Sequence, residues 1–314
     1  MIAATNRTAA VILLAVVSVP VPPLGHAQVR DEDSRTRQLW DDAFTRRRRS
    51  KSVPPAAVPS PGPAPAPRES PAAPGPDPGG ATGPAERLDL ADSLIGITVW
   101  RLRPARAGDR DQGAVVFAVG GEDLVAQRVE AGTSLAPGDR VRIGVESARP
   151  GYLYLIDREQ FAGGAGDPFL IFPRVRIRGG DNRVMPGRLV EVPDLADTPP
   201  FFTLKPSRPD QVGELVTVIV APQPIQGLPA GRAAQRLSPE QVEAWEKAWA
   251  APTRRIELPG GAGTLYTGAE REAGGMASRL LTQEEPVPQS MYRVESKPGD
   301  PMMVQLSLRM SKPD

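Results

Sequence analysis

The sequence predicts a mainly β protein: a β-sandwich-like antiparallel domain with one or two short helices, preceded by a signal peptide and a disordered proline-rich linker. Three observations lead there. From residue 86 onward, short runs rich in Val, Ile, Leu, Tyr and Thr are divided by clusters of Gly, Pro, Asp and Asn. Several runs alternate with period two: Val141, Ile143 and Val145 oppose Arg140, Arg142, Gly144 and Glu146, as in a sheet with one wet face. The chain has 314 residues, 40% hydrophobic and 24% charged, and the stretch 86–314 has a length that one large all-β domain accommodates.

Residues 1–27 have the parts of a secretory signal peptide. One basic residue, Arg7, precedes an apolar run from Ala9 to Val19, and the small residues Gly25 and Ala27 precede Gln28. The run is short for a bilayer span and is followed by Pro20, Pro22 and Pro23, so a retained anchor is the weaker alternative. No cysteine follows, which excludes a lipoprotein anchor. Residues 28–52 form a short polar and basic segment, with Leu39, Trp40, Ala43 and Phe44 on one face of a possible helix, and it ends in Arg46, Arg47, Arg48 and Arg49. Residues 53–85 are the linker: 12 of the 32 residues from Val53 to Pro84 are proline, too many for a packed core. Fully extended, it would reach on the order of 100 Å.

Within 86–314, strands are expected near Leu94–Leu102, Ala114–Val119, Leu124–Val129, Arg140–Glu146, Gly151–Ile156, Phe169–Ile177, Arg188–Val192, Phe201–Leu204, Glu214–Ala221, Met291–Glu295 and Met302–Leu308. Tyr152–Ile156 is apolar on both faces, which marks a central strand. Tight reversals are expected at Arg178-Gly179-Gly180-Asp181-Asn182 and at Lys297-Pro298-Gly299-Asp300-Pro301, the second joining the last two strands. Ser238-Pro239-Glu240-Gln241 opens a helix, with Ser238 as N-cap and Pro239 at the first helical position. Val242, Trp245 and Trp249 then share one stripe that docks against the sheet. Thr267-Gly268-Ala269-Glu270 reads as a second capping box, weakened by Gly274-Gly275.

Composition limits the chemistry. The only histidine, His26, leaves with the signal peptide, and the chain has no cysteine. Such a mature protein has no Ser-His-Asp triad, no thiolate nucleophile, no His/Cys zinc site and no disulfide. The full chain has 38 Lys plus Arg against 37 Asp plus Glu; without Arg7 the balance is 37 to 37, which gives no argument for a nucleic-acid partner.

Several motifs are similar to those of a bacterial domain-of-unknown-function family, number forty-three eighty-four. They are "ITVWRLRPA" (97–105), "PGDRVRIGVES" (137–147), "GYLYLIDREQF" (151–161), "PFLIFPRVRIRGGDN" (168–182), "GRLVEVPD" (187–194) and "GELVTVIVAPQPI" (213–225). The likeness is densest over 137–225, and 226–314 resembles the C-terminal extension of some exported members. The resemblance implies a β-rich module, of a kind often exported or attached to other envelope or signalling domains, and brings no catalytic residues with it.

The candidate residues follow from charge. Asp157, Glu159 and Asp167 flank the glycine-rich segment Ala162–Gly166, and Asp181 lies on a later turn. Paired carboxylates are what glycoside hydrolysis needs, and clustered ones are what calcium needs. The spacing lacks the alternating acidic ligands of a calcium loop, so no cofactor is expected. The plainer reading is a hairpin: Asp157 ends a strand, Gly163 and Gly164 turn the chain, and Asp167-Pro168 starts the next strand. Arg46–Arg49 would bind an acidic surface or stand as a solvated charge block. Arg101 and Arg103 are expected in a structural ion pair, Trp245 and Trp249 in the core, and Gly260–Gly263 in a plain loop. The expected function is that of an exported, periplasmic or extracellular, non-enzymatic module that binds an envelope protein or a surface polymer. It would have no integral membrane span once the signal peptide is cleaved. The alternatives are a carboxylate-based hydrolase of envelope glycans and a structural or assembly factor.

Overall fold

The computed structural model describes residues 44–48, 93–258, 260–274, 280–283, 285, 287–297 and 299–311, all within one unit, Gln38–Asp314. The signal peptide and the linker lie outside these residues. The described strands make two antiparallel sheets.

The first sheet is centred on β1 (Leu94–Pro104) and β4 (Arg140–Ser147), which pair from Ile95↔Ser147 to Leu102↔Arg140. The other edge of β1 is shared: β13 (Ser290–Val294) pairs with its first half and β3 (Glu122–Val129) with its second. Beyond them lie β12 (Thr253–Glu257) and β2 (Phe117–Val119). The outer edge of β4 carries β8 (Leu189–Val192) and β9 (Phe202–Thr203).

The second sheet is centred on β5 (Gly151–Phe161) and β10 (Gln211–Ala221). On the far side of β10 is β14 (Met302–Arg309). The free edge of β5 is lined end to end by β7 (Arg183–Val184) and β6 (Gly164–Phe172), and β11 (Gln235–Arg236) extends β6. As the apolar run Tyr152–Ile156 demands, β5 is central.

Period two builds the core. Ile95, Ile97 and Val99 of β1 and Val141, Ile143 and Val145 of β4 meet Leu153 and Leu155 of β5, Val216, Val218 and Val220 of β10, and Val304 and Leu306 of β14 in one buried cluster. Each such side chain contributes about 1.5–3 kcal/mol by leaving water. The cluster draws on both sheets, so the architecture is a sandwich.

Both outer faces are covered. Over sheet two lies α1 (Pro239–Ala248), capped as its sequence directs: Gln241 N–H donates to Ser238 Oγ at 3.2 Å. Its Val242, Trp245 and Trp249 pack on Tyr154, Ile156 and Ile219, and the two indoles stack 5.6 Å apart. Over sheet one lie α2 (Gly268–Gly274) and the segments around it. The capping box closes there, since Thr267 N–H donates to Glu270 Oε2 at 2.7 Å.

This second cover corrects one expectation. The face of β4 read as wet is dry: Arg142 is 0% exposed and Glu146 1%. Arg142 Nη2 donates to Glu191 Oε2 at 2.9 Å, and Tyr266 Oη donates to the same oxygen at 2.9 Å. Arg128 Nη2 donates to Glu270 Oε1 at 2.7 Å while its guanidinium lies 5.0 Å from the Trp100 ring. Buried ion pairs, rather than solvent, meet this face, although Arg142 Nη1 and Glu191 Oε1 stay without hydrogen-bond partners.

Three further expectations change. The run Phe169–Ile177 stops being a strand at Phe172, because Pro173 has no N–H to give the ladder. The turn at 178–182 does not close a hairpin, since β6 and β7 both pair with β5. Nor does the turn at 297–301, because β13 belongs to one sheet and β14 to the other.

Candidate functional site

The acidic candidates lie on or beside the second sheet, parted between the two ends of β5. At the far end the strand runs through Asp157 and Glu159 to Phe161, and the chain returns as β6. The reversal lies where the hairpin reading puts it. Asp157, however, is in mid-strand, opposite Val216 and Phe169, instead of at a strand end. β10 offers ladder partners as far as Gln211, and the backbone of 157–161 takes them.

Alternation sets Asp157 and Glu159 in the inward series of Leu153 and Leu155. Glu214, directly opposite Glu159, belongs to the series of Val216, Val218 and Val220. Three carboxylates therefore stand where the apolar series of both strands runs out. Glu214 is 8% exposed; its Oε1 accepts from Gln211 Nε2 at 2.7 Å, while its Oε2 and Asp157 Oδ1 are buried without hydrogen-bond partners. Burial first, then the charges of Asp157 and Glu159, push Glu214 up to about 8. Burial and then Glu159 push Asp157 up to about 6.

Glu214 escapes the sequence reading, although "GELVTVIVA" carries its signal: the series Val220, Val218, Val216 leads straight to residue 214. Glu159 and Asp167 also line an open groove of about 580 Å³ beside the start of α1. Asp167 pairs there with Arg236. Asp181 stands at the other end of β5, 3.1 Å from Arg183 Nε. Seven residues of strand, about 23 Å, part Tyr152 from Glu159. The four carboxylates named for a hydrolase therefore do not converge. Among the described residues, no three acidic, His or Cys side chains are grouped so as to hold a metal ion.

At the near end, Tyr152 is the common wall of two open grooves. One, of about 470 Å³, is lined by Arg178, Arg183, Arg188, Asp181, Met185 and Pro150 among others. The other, of about 560 Å³, is lined by Tyr154, Pro173, Pro224, Ile225 and Pro229 beside Tyr152. Tyr154 Oη accepts from Ile225 N–H at 2.9 Å, which fixes the loop after β10. Arg178 is the only non-glycine residue among the described ones with positive φ, at 51°. That conformation costs a residue bearing a Cβ about 1–2 kcal/mol. Its surroundings hold it: the backbone N–H donates to Asp197 Oδ1 at 3.2 Å, and Nη1 donates to Gly274 O at 3.3 Å and lies 3.7 Å from Asp194 Oδ2.

The basic run divides. Arg48 turns inward, with Nη2 2.6 Å from Glu146 Oε2 and Nη1 donating to Glu285 O at 3.0 Å. A buried ion pair replaces the solvated charge expected there, because Phe44 beside it packs with Leu94, Ala148 and Met291 and draws the segment onto the sandwich. Arg46 is exposed, the Arg47 side chain is not described, and Arg49 lies outside the described residues. Arg103 makes the expected ion pair: its Nη1 and Nη2 each donate to Asp109 at 2.9 Å, which together with the Arg106 N–H holds that carboxyl down at about 2. Arg101 lies 4.0 Å from Asp139. No family model, no curated protein and no solved structure matches this chain.

Proposed function

We propose that this protein is an exported, non-enzymatic β-sandwich that binds an envelope component through the grooves flanking Tyr152. One observation carries the reading: the half-buried ring of Tyr152 joins an arginine-lined groove to a tyrosine- and proline-lined one, both open to solvent. Wide grooves of mixed polarity suit an extended partner better than a small enclosed substrate. The leader-like residues 1–27 and the lack of any cysteine or further histidine support the exported, non-catalytic part. No described helix is long and apolar enough to cross a membrane.

A photo-crosslinking amino acid at position 152, compared in intact cells with the same group at Asp210 by the far groove, tests the proposal. A discrete adduct from 152 alone is expected. Adducts of equal yield from both positions, or none from 152, would overturn it. The hydrolase remains the second reading because Asp157 and Glu214 titrate about two units apart, as an acid and a base must. Glu214 does not line the groove that Glu159 and Asp167 line, so the perturbed carboxyls and the accessible ones are different groups. Cleavage of an envelope glycan lost on Asp157→Asn and Glu214→Gln would establish it.

A further inference from the structure

We infer that the arginine-lined groove beside Tyr152 is a subsite for the phosphodiester groups of an extended surface polymer, with the tyrosine- and proline-lined groove taking the uncharged sugar or polyol units between them. The inference rests on the binding role proposed above and names its ligand class.

Charge localisation is the first observation. The whole chain is within one charge of neutrality, yet residues 173–188 hold Arg174, Arg176, Arg178, Arg183 and Arg188 against the single acid Asp181. The fold then concentrates that charge: Arg178, Arg183 and Arg188 line one groove. Arg183 shares its charge with Asp181, and Arg188 is exposed. Guanidinium groups present a planar fork that matches two oxygens of a phosphate, which an ammonium does not.

Arg178 is the second observation. A glycine would adopt φ 51° without strain, and glycines follow at 179 and 180. The arginine is held in that conformation 8% exposed, with its Nε buried and without a hydrogen-bond partner. Asp194 lies 3.7 Å from Nη1, and the charges of Asp197 and Asp181 also act on Arg178, so its role is to hold the inner wall while Arg183 and Arg188 present the accessible cations. The third observation is continuity. Tyr152 belongs to both grooves, so a chain lying across it meets cations on one side and proline and aliphatic faces on the other. Alternating charged and uncharged units fit that order, whereas a uniformly charged chain would leave the Pro224 and Ile225 side without a match.

The test uses the leader-cleaved protein and three probes at low salt: a poly(glycerol phosphate) chain, uncharged dextran, and phosphatidylglycerol vesicles. Binding to the poly(glycerol phosphate) is expected, weakening about threefold for each doubling of salt if two phosphates are neutralised. The double variant R183A/R188A, whose side chains are exposed, is expected to keep the melting temperature and lose binding at least tenfold. Equal binding to dextran, or binding untouched by the double variant, would overturn the phosphate assignment. Preference for vesicles over the polymer would overturn the polymer as the source of the phosphodiester. A crosslink at position 152 with no effect of the arginine variants would leave the binding surface standing and remove this inference; absence of both would remove both.

Discussion

Replacing Glu214 with glutamine should make the protein more stable, and only above mildly acidic pH. Glu214 binds its proton up to about pH 8 in the folded protein, against an ordinary value of 4.5. Between those values the folded state keeps a proton that the unfolded chain has released. Stability therefore falls as pH rises from 4.5 toward 8, and it levels off above that. The interval is 3.5 units, at about 1.4 kcal/mol each, so the gross effect is about 5 kcal/mol. Water at the open end of the sandwich screens part of it, leaving about 2–3 kcal/mol at pH 8. Glutamine has the same shape, carries no charge and still accepts from Gln211 through Oε1. The gain corresponds to roughly 5–10 °C in melting temperature for a domain of this size. The assay is thermal denaturation of both proteins at pH 5, 6, 7 and 8, followed by tryptophan fluorescence. The curves should meet at pH 5 and separate steadily toward pH 8. Parallel profiles, or a less stable variant at pH 8, would refute the carboxylate trio as the source of the strain.

Other consequences are sharper in position than in pH. Arg48→Ala leaves Glu146 buried without its guanidinium and should cost about 3–5 kcal/mol in urea unfolding, part of which Glu146→Gln in the same chain should restore. Tyr266→Phe removes the hydroxyl that donates to Glu191 and should cost about 1–3 kcal/mol; an unchanged urea midpoint would show that Arg142 alone satisfies that carboxylate. Gly213→Ala places a methyl 2.5 Å from the carbonyl oxygen of Leu308, a backbone atom that cannot step aside. It should destabilise by about 1–3 kcal/mol and slow hydrogen exchange should be lost along β14 first.

Much of the sandwich could be read from alternation, because a strand with one buried face writes that face into every second residue. β14 shows this directly, burying Met302, Val304, Leu306 and Leu308; β4 and β10 keep the alternating apolar series although both their faces are covered, and Leu153–Ile156 of β5 is buried on both sides. The strands that escaped are β7, β11 and β12; the first two have two residues each, and Thr253–Glu257 reads Thr-Arg-Arg-Ile-Glu, with almost no apolar series. Which sheet a strand joins is not written in alternation at all, and so the turn at 297–301 was legible as a turn and not as a crossing. The site divides the same way. Asp157 and Glu159 stand out locally, but Glu214 lies 55 residues beyond Glu159 and meets it only through strand register. Arg48 and Glu146 are likewise brought together across 98 residues, a pairing that no local window contains.

The crossing between β13 and β14 sets an order of assembly. Residues 290–309 supply one strand to each sheet, so neither sheet has its full complement until that segment is in place. Until then β10 presents an open flank, and the first half of β1 has only one neighbour. A fold built this way closes cooperatively, with residues 290–309 acting as the latch for both layers at once.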